Sequence, residues 1–312
     1  MKIVFLDSAT LSAASLAPIE KLGDLVCYST STPEEAQERV KDADILIVNK
    51  IRVSGELIDA APQLKLICEA ATGVNNIDLD AAGRRGIPVR NVAGYSTDSV
   101  AQLSFAMALS LVCDLRRFDG FVKDGSYSRS PIFTDVSRPY LELCGKTMGI
   151  IGLGTIGTKV AHIASAFGMR VIYYSASGKD RSSEYERKGL EELLAGSDIV
   201  SIHCPLTEKT RGLIGSRELG MMKRSAVIIN AARGGIIDEQ ALSDAVGAGT
   251  IAGAGVDVFT WEPIPSDNPL LHCARPDHLV LTPHVAWASR EAQVRLVEGI
   301  AGNIREYLES AH

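Results

Sequence analysis

Three polar side chains follow apolar, strand-like runs in the last third of the chain. Arg233 stands in Asn230-Ala231-Ala232-Arg233-Gly234-Gly235, Glu262 in Asp257-Val258-Phe259-Thr260-Trp261-Glu262-Pro263, and His284 in Thr282-Pro283-His284-Val285-Ala286-Trp287. Open α/β sheets bind ligands at the carboxyl ends of their strands, so these three types at these places form a set suited to hydride transfer. An Arg fork grips a carboxylate at two points. A His donates the proton that accompanies the hydride, and a Glu keeps that His charged. Taken singly, each has a plain alternative: a surface Arg, a solvated Glu, a His at the edge of the core. Their chemistry depends on their standing together beside a nucleotide site.

The sequence contains such a site. Ile151-Gly152-Leu153-Gly154-Thr155-Ile156-Gly157 fits G-x-G-x-x-G, follows a strand-like run and opens a helical stretch, Ile156 to Phe167. In that setting Gly152 allows the tight turn, Gly154 lets backbone approach a pyrophosphate, and Gly157 lets helix and strand pack closely. Thr155 and Ile156 then stand where free helix N–H groups face phosphates. The second strand of such a unit usually ends in an acidic residue that binds the ribose 2′-hydroxyl. Here that place falls at Ser175, in Tyr173-Tyr174-Ser175-Ala176-Ser177-Gly178-Lys179, and no carboxylate occurs before Asp180. A hydroxyl-rich loop with Lys179 and Arg181 close by suits a 2′-phosphate and favours NADP over NAD. The alternative is a solvated loop that selects neither.

The elements that must position these residues alternate. Strands are expected at Lys2–Leu6, Leu25–Tyr28, Ile45–Asn49, Leu64–Glu69 and Pro88–Asn91. Helical stretches lie near Ser12–Leu22, Pro33–Lys41, Gly55–Ala61 and Leu79–Arg85. This βαβ alternation implies a parallel sheet covered on both faces. A long helix capped by Ser96 or Thr97 runs to about Arg117, apolar on nearly every face and hence buried, with Arg116-Arg117 complementing its C-terminal dipole. Six further strands follow, at Met148–Ile151, Arg170–Tyr174, Asp198–His203, Ala226–Asn230, Ala254–Val258 and His278–Thr282, as in a doubly wound sheet. The last helix, Ser289 to about Leu308, carries Leu296, Ile300, Ile304 and Tyr307 as an apolar stripe. That stripe is expected to dock back on the first domain. Phe121 to Gly145 has no clear period and holds Tyr127, Pro131, Phe133, Pro139 and Tyr140, a composition that points to function or to a partner.

Composition narrows the classes. The 312 residues are 46% hydrophobic and 22% charged, which is globular and allows two domains, with a net charge of −6. Scattered Lys and Arg argue against a nucleic-acid groove or a basic membrane-facing surface. The six cysteines form no C-x-x-C pair and sit mostly in apolar runs, as buried reduced thiols do, so neither a disulfide framework nor a metal site is expected. The longest apolar stretch, Leu103 to Cys113, is too short to span a bilayer. No export signal precedes the first strand, and a cytoplasmic protein is expected.

Four motifs in order, Gly152–Gly157, Ser201-Ile202-His203-Cys204-Pro205-Leu206-Thr207, Asn230–Gly235 and Thr282–Ser289, carry a resemblance. Over essentially its whole length the chain resembles the D-isomer-specific 2-hydroxyacid dehydrogenases. Ala71-Thr72-Gly73-Val74-Asn75-Asn76-Ile77-Asp78 and Gly94–Gln102 are most similar to glycerate dehydrogenases, also called hydroxypyruvate reductases. The resemblance implies an α/β fold of two Rossmann-like domains with parallel, doubly wound sheets and an active site in the cleft between them. Residues 1–98 plus 288–312 would form the substrate domain and 99–287 the nucleotide domain. It implies Arg233 as the grip on the substrate carboxylate, His284 as acid and base, and Glu262 as its partner. Gly73 and Val74 would present N–H groups to the carboxylate, with Tyr95 and Trp287 also at the substrate. His203, Cys204, Pro205, Ala231, Ala232, Asp257 and Ala286 would join the cofactor contacts. The expected reaction is NAD(P)H-dependent reduction of a small 2-oxo acid, of the hydroxypyruvate or glyoxylate type, to the D-2-hydroxy acid by a homodimer built on the nucleotide domains. The competing readings are a reductase of bulkier branched or aromatic 2-oxo acids and a non-catalytic nucleotide-sensing protein of the same fold.

Overall fold

The structure, a computed structural model, describes residues 1–11 and 14–310. It divides into two units, Met1–Ser96 with Ala288–His312, and Thr97–Trp287. The first boundary lies at the residue where a long helix begins, two residues before the expected one.

The first unit runs β1 (Lys2–Phe5), α1 (Ala17–Glu20), β2 (Asp24–Cys27), α2 (Pro33–Arg39), β3 (Ile45–Val48), α3 (Gly55–Asp59), β4 (Leu66–Glu69), α4 (Leu79–Arg84) and β5 (Val89–Arg90). The strands are parallel in the order β2-β1-β3-β4-β5. Every residue of β3 and β4 is buried, which is why these runs read as unbroken apolar stretches instead of alternating ones. Helix starts follow the capping chemistry: Thr32 and Glu35 close a capping box on α2, while Ser54 and Asp78 accept the N–H of Leu57 and Ala81. The helix expected near Ser12–Leu22 is shorter, a 3-10 turn at Ser8–Leu11 followed by α1, with Ser12 and Ala13 outside the described residues.

The second unit runs α5 (Thr97–Val112), α6 (Leu115–Lys123), β6 (Thr147–Ile151), α7 (Thr155–Ala166), β7 (Arg170–Tyr174), β8 (Glu186–Arg187), α8 (Leu190–Gly196), β9 (Ile199–Ile202), α9 (Ser216–Met221), β10 (Val227–Asn230), α10 (Glu239–Gly247), β11 (Gly253–Val256) and β12 (Leu279–Leu281). All seven strands are parallel, in the order β12-β11-β10-β9-β6-β7-β8. Successive residues serve opposite cores: Ile151 and Ile228 pack with Leu193, Leu219 and Leu242, whereas Ile150 and Ile229 pack with Phe105, Met107 and Val160. The seventh strand, β8, is two exposed charged residues and gives no apolar signal.

The long helix breaks earlier than its composition suggests. Asp114 adopts a left-handed conformation at φ 50°, which Asp tolerates better than most residues, and separates α5 from α6. Arg116 and Arg117 therefore sit in the first turn of α6 and do not cap a C-terminus. Arg116 donates to the Leu279 carbonyl at 2.6 Å, and Arg117 bridges Asp114 and Asp135. α5 lies close over the sheet because β11 is small there: a Cβ on Gly255 would lie 2.9 Å from Met107. The last helix, α11 (Arg290–Ser310), packs in the first unit against α1 and β4. Among the described residues no single helix is long and apolar enough to cross a membrane. Of the six cysteines, all free, Cys68, Cys204 and Cys273 are buried but Cys27 and Cys144 are exposed.

At the carboxyl ends of β1, β3 and β4 two carboxyls are buried together. Asp7 accepts the N–H groups of Asn49, Lys50 and Ile51. Glu69 has one neutral donor, Asn76 Nδ2 at 3.0 Å on Oε2, and its Oε1 has no hydrogen-bond partner. Burial pushes Glu69 up to about 8 despite the Asn76 bond, with the Asp7 charge adding to the shift. A carboxyl raised in the fold keeps its proton while the unfolded chain releases one. Stability therefore falls as pH rises from the ordinary carboxylate range to about 8. Glu69→Gln should remove that slope, giving urea midpoints less dependent on pH than those of the wild type. An unchanged slope would show that Glu69 is ionised in the fold.

Candidate functional site

The glycine-rich turn sits where the strand order reverses, between β6 and β9, and its three glycines differ in surroundings. Gly152 has φ 96°, and a Cβ there would lie 2.6 Å from the Cys204 nitrogen. A Cβ on Gly157 would lie 2.2 Å from the Gly152 carbonyl oxygen, so α7 packs on β6 only through glycine. Gly154 has open space around its Cβ position. That space continues into a cavity of about 640 Å³, lined among others by Gly152, Gly154, Ser175, Arg181, His203, Cys204, Pro205 and Lys209. An open approach over a helix N-terminus, beside tight turns that only glycine permits, fits a dinucleotide pyrophosphate. Thr155 and Ile156 form the first turn of α7.

Ser175 lines this cavity, with its Oγ 3.2 Å from that of Ser177. Lys179 does not. The Gly178 N–H closes a turn on the Ser175 carbonyl, and Gly178 at φ 74° carries the chain past the cavity. Asp180 pairs with Arg187. The basic residues on the lining are Arg181 and Lys209, and Lys209 lies in an irregular loop whose only sequence signal is the preceding His203–Thr207 motif. His203 places Nε2 2.8 Å from Ser201 Oγ, and its Nδ1 is buried without a partner. Burial pushes this imidazole down to about 4, so it is neutral near pH 7.

The three polar residues after β10, β11 and β12 are linked by a continuous set of contacts. Asn230 folds the loop after β10: its Oδ1 accepts from Ala232 N–H at 3.1 Å and its Nδ2 donates to the Arg233 carbonyl at 3.0 Å. Arg233 donates one guanidinium N–H to the Ala232 carbonyl. A Cβ on Gly234 would lie 1.9 Å from the Phe259 carbonyl oxygen, so glycine alone allows the loops after β10 and β11 to meet. Phe259 N–H donates to Glu262 Oε1 at 3.0 Å, and Glu262 Oε2 lies 2.6 Å from His284 Nδ1. With Nδ1 held by the carboxylate, Nε2 is the ring nitrogen left to exchange a proton with a ligand.

Asp257 directly follows β11 and lies beneath this pair. It is fully buried, and both carboxylate oxygens are engaged: Oδ1 accepts from Thr282 Oγ1 and Val285 N–H, and Oδ2 from Ala286 N–H. Its carbonyl also accepts from His284 N–H at 2.8 Å, and His284 itself has φ 53°. A carboxylate with these partners shapes the loop that carries His284. Ala286 is likewise buried, its carbonyl taken by Ser99 Oγ, while Ala231 is buried beside the half-buried Ala232 and Trp287 is half-buried. In the first unit, Gly73 and Val74 follow β4 with N–H groups unused by the loop's own backbone bonds, and Tyr95 is buried.

A family model described as D-isomer specific 2-hydroxyacid dehydrogenase, NAD binding domain, matches residues 105–286. The chain belongs to that family. This 2-hydroxyacid dehydrogenase is 37% identical to a hydroxypyruvate reductase of Blautia hydrogenotrophica, covering 100% of this chain and 98% of the relative. It is also 37% identical to a glycerate dehydrogenase of Methylorubrum extorquens, over 98% of this chain and 96% of that one. Among solved structures, an acyclic imino acid reductase in complex with NADPH and D-Arg superposes with a TM-score of 0.89 at 32% identity, covering 99% of this chain and 98% of that one. The dehydrogenase is thus an oxidoreductase of two-domain α/β fold that uses a nicotinamide cofactor.

The glycine geometry separates binding from folding. Gly157→Ala forces a methyl against the Gly152 carbonyl and should cost about 1–3 kcal/mol of stability. Gly154→Ala should leave the melting temperature unchanged and weaken nicotinamide cofactor binding in a fluorescence titration. Full cofactor affinity in Gly154→Ala would move the pyrophosphate elsewhere.

Proposed function

We propose that this dehydrogenase reduces a small 2-oxo acid of the hydroxypyruvate or glyoxylate type to the D-2-hydroxy acid, with His284 as proton donor and NADPH preferred over NADH. The observation that carries the reading is the 2.6 Å contact between His284 Nδ1 and Glu262 Oε2, joined through Phe259 to the Arg233-Gly234 turn. When bound, the reduced nicotinamide supplies a hydride to the carbonyl carbon. His284 Nε2–H gives its proton to the carbonyl oxygen, and the Glu262 carboxylate favours the imidazolium that precedes this step. Arg233 binds the substrate carboxylate, and the Gly73 and Val74 N–H groups are proposed as further partners. The names of the hydroxypyruvate reductase and glycerate dehydrogenase relatives support the substrate class.

A turnover assay over small, branched and aromatic 2-oxo acids with both reduced cofactors tests the reading. Hydroxypyruvate or glyoxylate should give the highest kcat/KM. Preference for bulky acids, or no turnover at all, would contradict it. Arg233→Lys keeps the charge but loses the planar fork and should lower kcat/KM by about 100-fold, on the order of two charge-assisted hydrogen bonds, with cofactor binding retained.

The cofactor preference rests on Ser175, Ser177 and Arg181 lining one cavity with no carboxylate at the end of β7. Ser175→Asp introduces repulsion toward a 2′-phosphate and an acceptor for a ribose hydroxyl. It should shift the NADPH/NADH ratio of kcat/KM toward NADH. An unaltered ratio would show that this loop does not read the 2′ position.

A homodimer is part of the proposal. Ile132, Phe133, Val136 and Tyr140 are exposed, and with Phe118, Phe121 and Tyr127 they lie in or beside a groove of about 500 Å³. Sedimentation at micromolar concentration should show two chains, and a monomer would refute this.

A further inference from the structure

Glu239 is the first residue of α10, yet it does not cap that helix. The capping contact belongs to Asp238, whose side chain accepts the Ala241 N–H at 2.9 Å. The Glu239 carboxylate is turned instead to the segment that follows β11. Its Oε1 accepts from both the N–H of Thr260, at 2.6 Å, and the Thr260 hydroxyl, at 2.9 Å. Its Oε2 accepts from Asn268 Nδ2 at 2.6 Å. Asn268 is buried and fixed in turn, since its Oδ1 accepts the Leu270 N–H at 3.0 Å.

One carboxylate thus ties together the two ends of residues 260–268. Trp261, Glu262 and Pro263 lie between those ends, and all three are exposed, so packing does little to fix them. The amides of Phe259 and Thr260 are consecutive, and two different carboxylates take them: Glu262 the first, Glu239 the second. Were Thr260 N–H unclaimed, it would offer Glu262 a second donor beside the first. A carboxylate accepts from whichever donors are near, so that competition would draw Glu262 out of line with His284.

We propose that Glu239 is a positioning residue for the acid-base pair, stapling the 260–268 segment so that Glu262 keeps its hold on His284. The proposal rests on the reading of Glu262 and His284 as that pair. Glu239 touches neither substrate nor cofactor in it. It acts only through the segment it closes.

Steady-state kinetics with hydroxypyruvate, across the neutral and alkaline range, test this on the full chain with Glu239→Gln, Glu262→Gln and the double variant. Glu239→Gln should lower kcat about tenfold, the scale of one charge-assisted hydrogen bond, while KM for the 2-oxo acid and cofactor affinity stay unchanged. Its alkaline limb should move to lower pH, in the same direction as in Glu262→Gln. Added to Glu262→Gln, it should cause no further loss, because the residue it positions is already disabled. A wild-type kcat and pH profile in Glu239→Gln, or a loss that multiplies with that of Glu262→Gln, overturns the proposal and leaves Glu239 as a stabilising contact only. If Glu239→Gln does not fold, Thr260→Val removes the hydroxyl contact alone; a smaller shift of the same sign supports the proposal and an unmoved pH profile overturns it. A Glu262→Gln variant that behaves as wild type overturns the acid-base reading itself, and is seen in that single variant before Glu239 enters.

Discussion

The contact between His284 and Glu262 joins the ends of two strands, and the surrounding loops are arranged around it. Both side chains are exposed by roughly a quarter. A pair so open to water contributes no more than about 1 kcal/mol to folding, so its value lies in orientation and charge. The stabilising work is done beneath it. Asp257 is fully buried and takes Thr282 Oγ1, Val285 N–H and Ala286 N–H, contacts of a kind worth about 1.5–3 kcal/mol each. Those bonds hold the backbone that sets His284 in its left-handed conformation. A shallow His–Glu pair is thereby carried on a buried anchor.

The parallel sheet supplies the rest. Because β6, β9, β10, β11 and β12 all run the same way, each delivers its following loop to one edge. The glycine-rich turn, the His203 loop, the Arg233 turn, the Glu262 segment and the His284 loop are all such loops. Two close backbone approaches then fix their mutual distances: Gly152 against Cys204, and Gly234 against Phe259. Neither position accepts a Cβ. The glycines act here as spacers between loops, which is a tertiary role invisible to local propensity.

Much of this was legible from residue order. The alternation of buried apolar runs with capped helices marked the strands, and Arg233, Glu262 and His284 were placed at strand ends by their apolar preludes. What escaped has physical reasons. β8 is two exposed charged residues paired with β7, so it carries no hydrophobic pattern. The break at Asp114 depends on one residue adopting a left-handed conformation inside an apolar run. That Arg181 lines the cavity while Lys179 does not depends on the turn at Gly178, which residue order does not show. The anchoring role of Asp257 was likewise not legible. Its three donors come from residues 25 to 29 positions later, which only the folded sheet brings together.

The central claim is that Glu262 maintains His284 as the proton donor. The pH dependence of kcat for 2-oxo acid reduction, compared between wild type and Glu262→Gln, tests it most directly. An amide does not offset the imidazolium charge as a carboxylate does, so the account predicts that the alkaline fall of kcat moves to lower pH in the variant, with cofactor affinity retained. Superimposable pH profiles would contradict it and remove Glu262 from the mechanism.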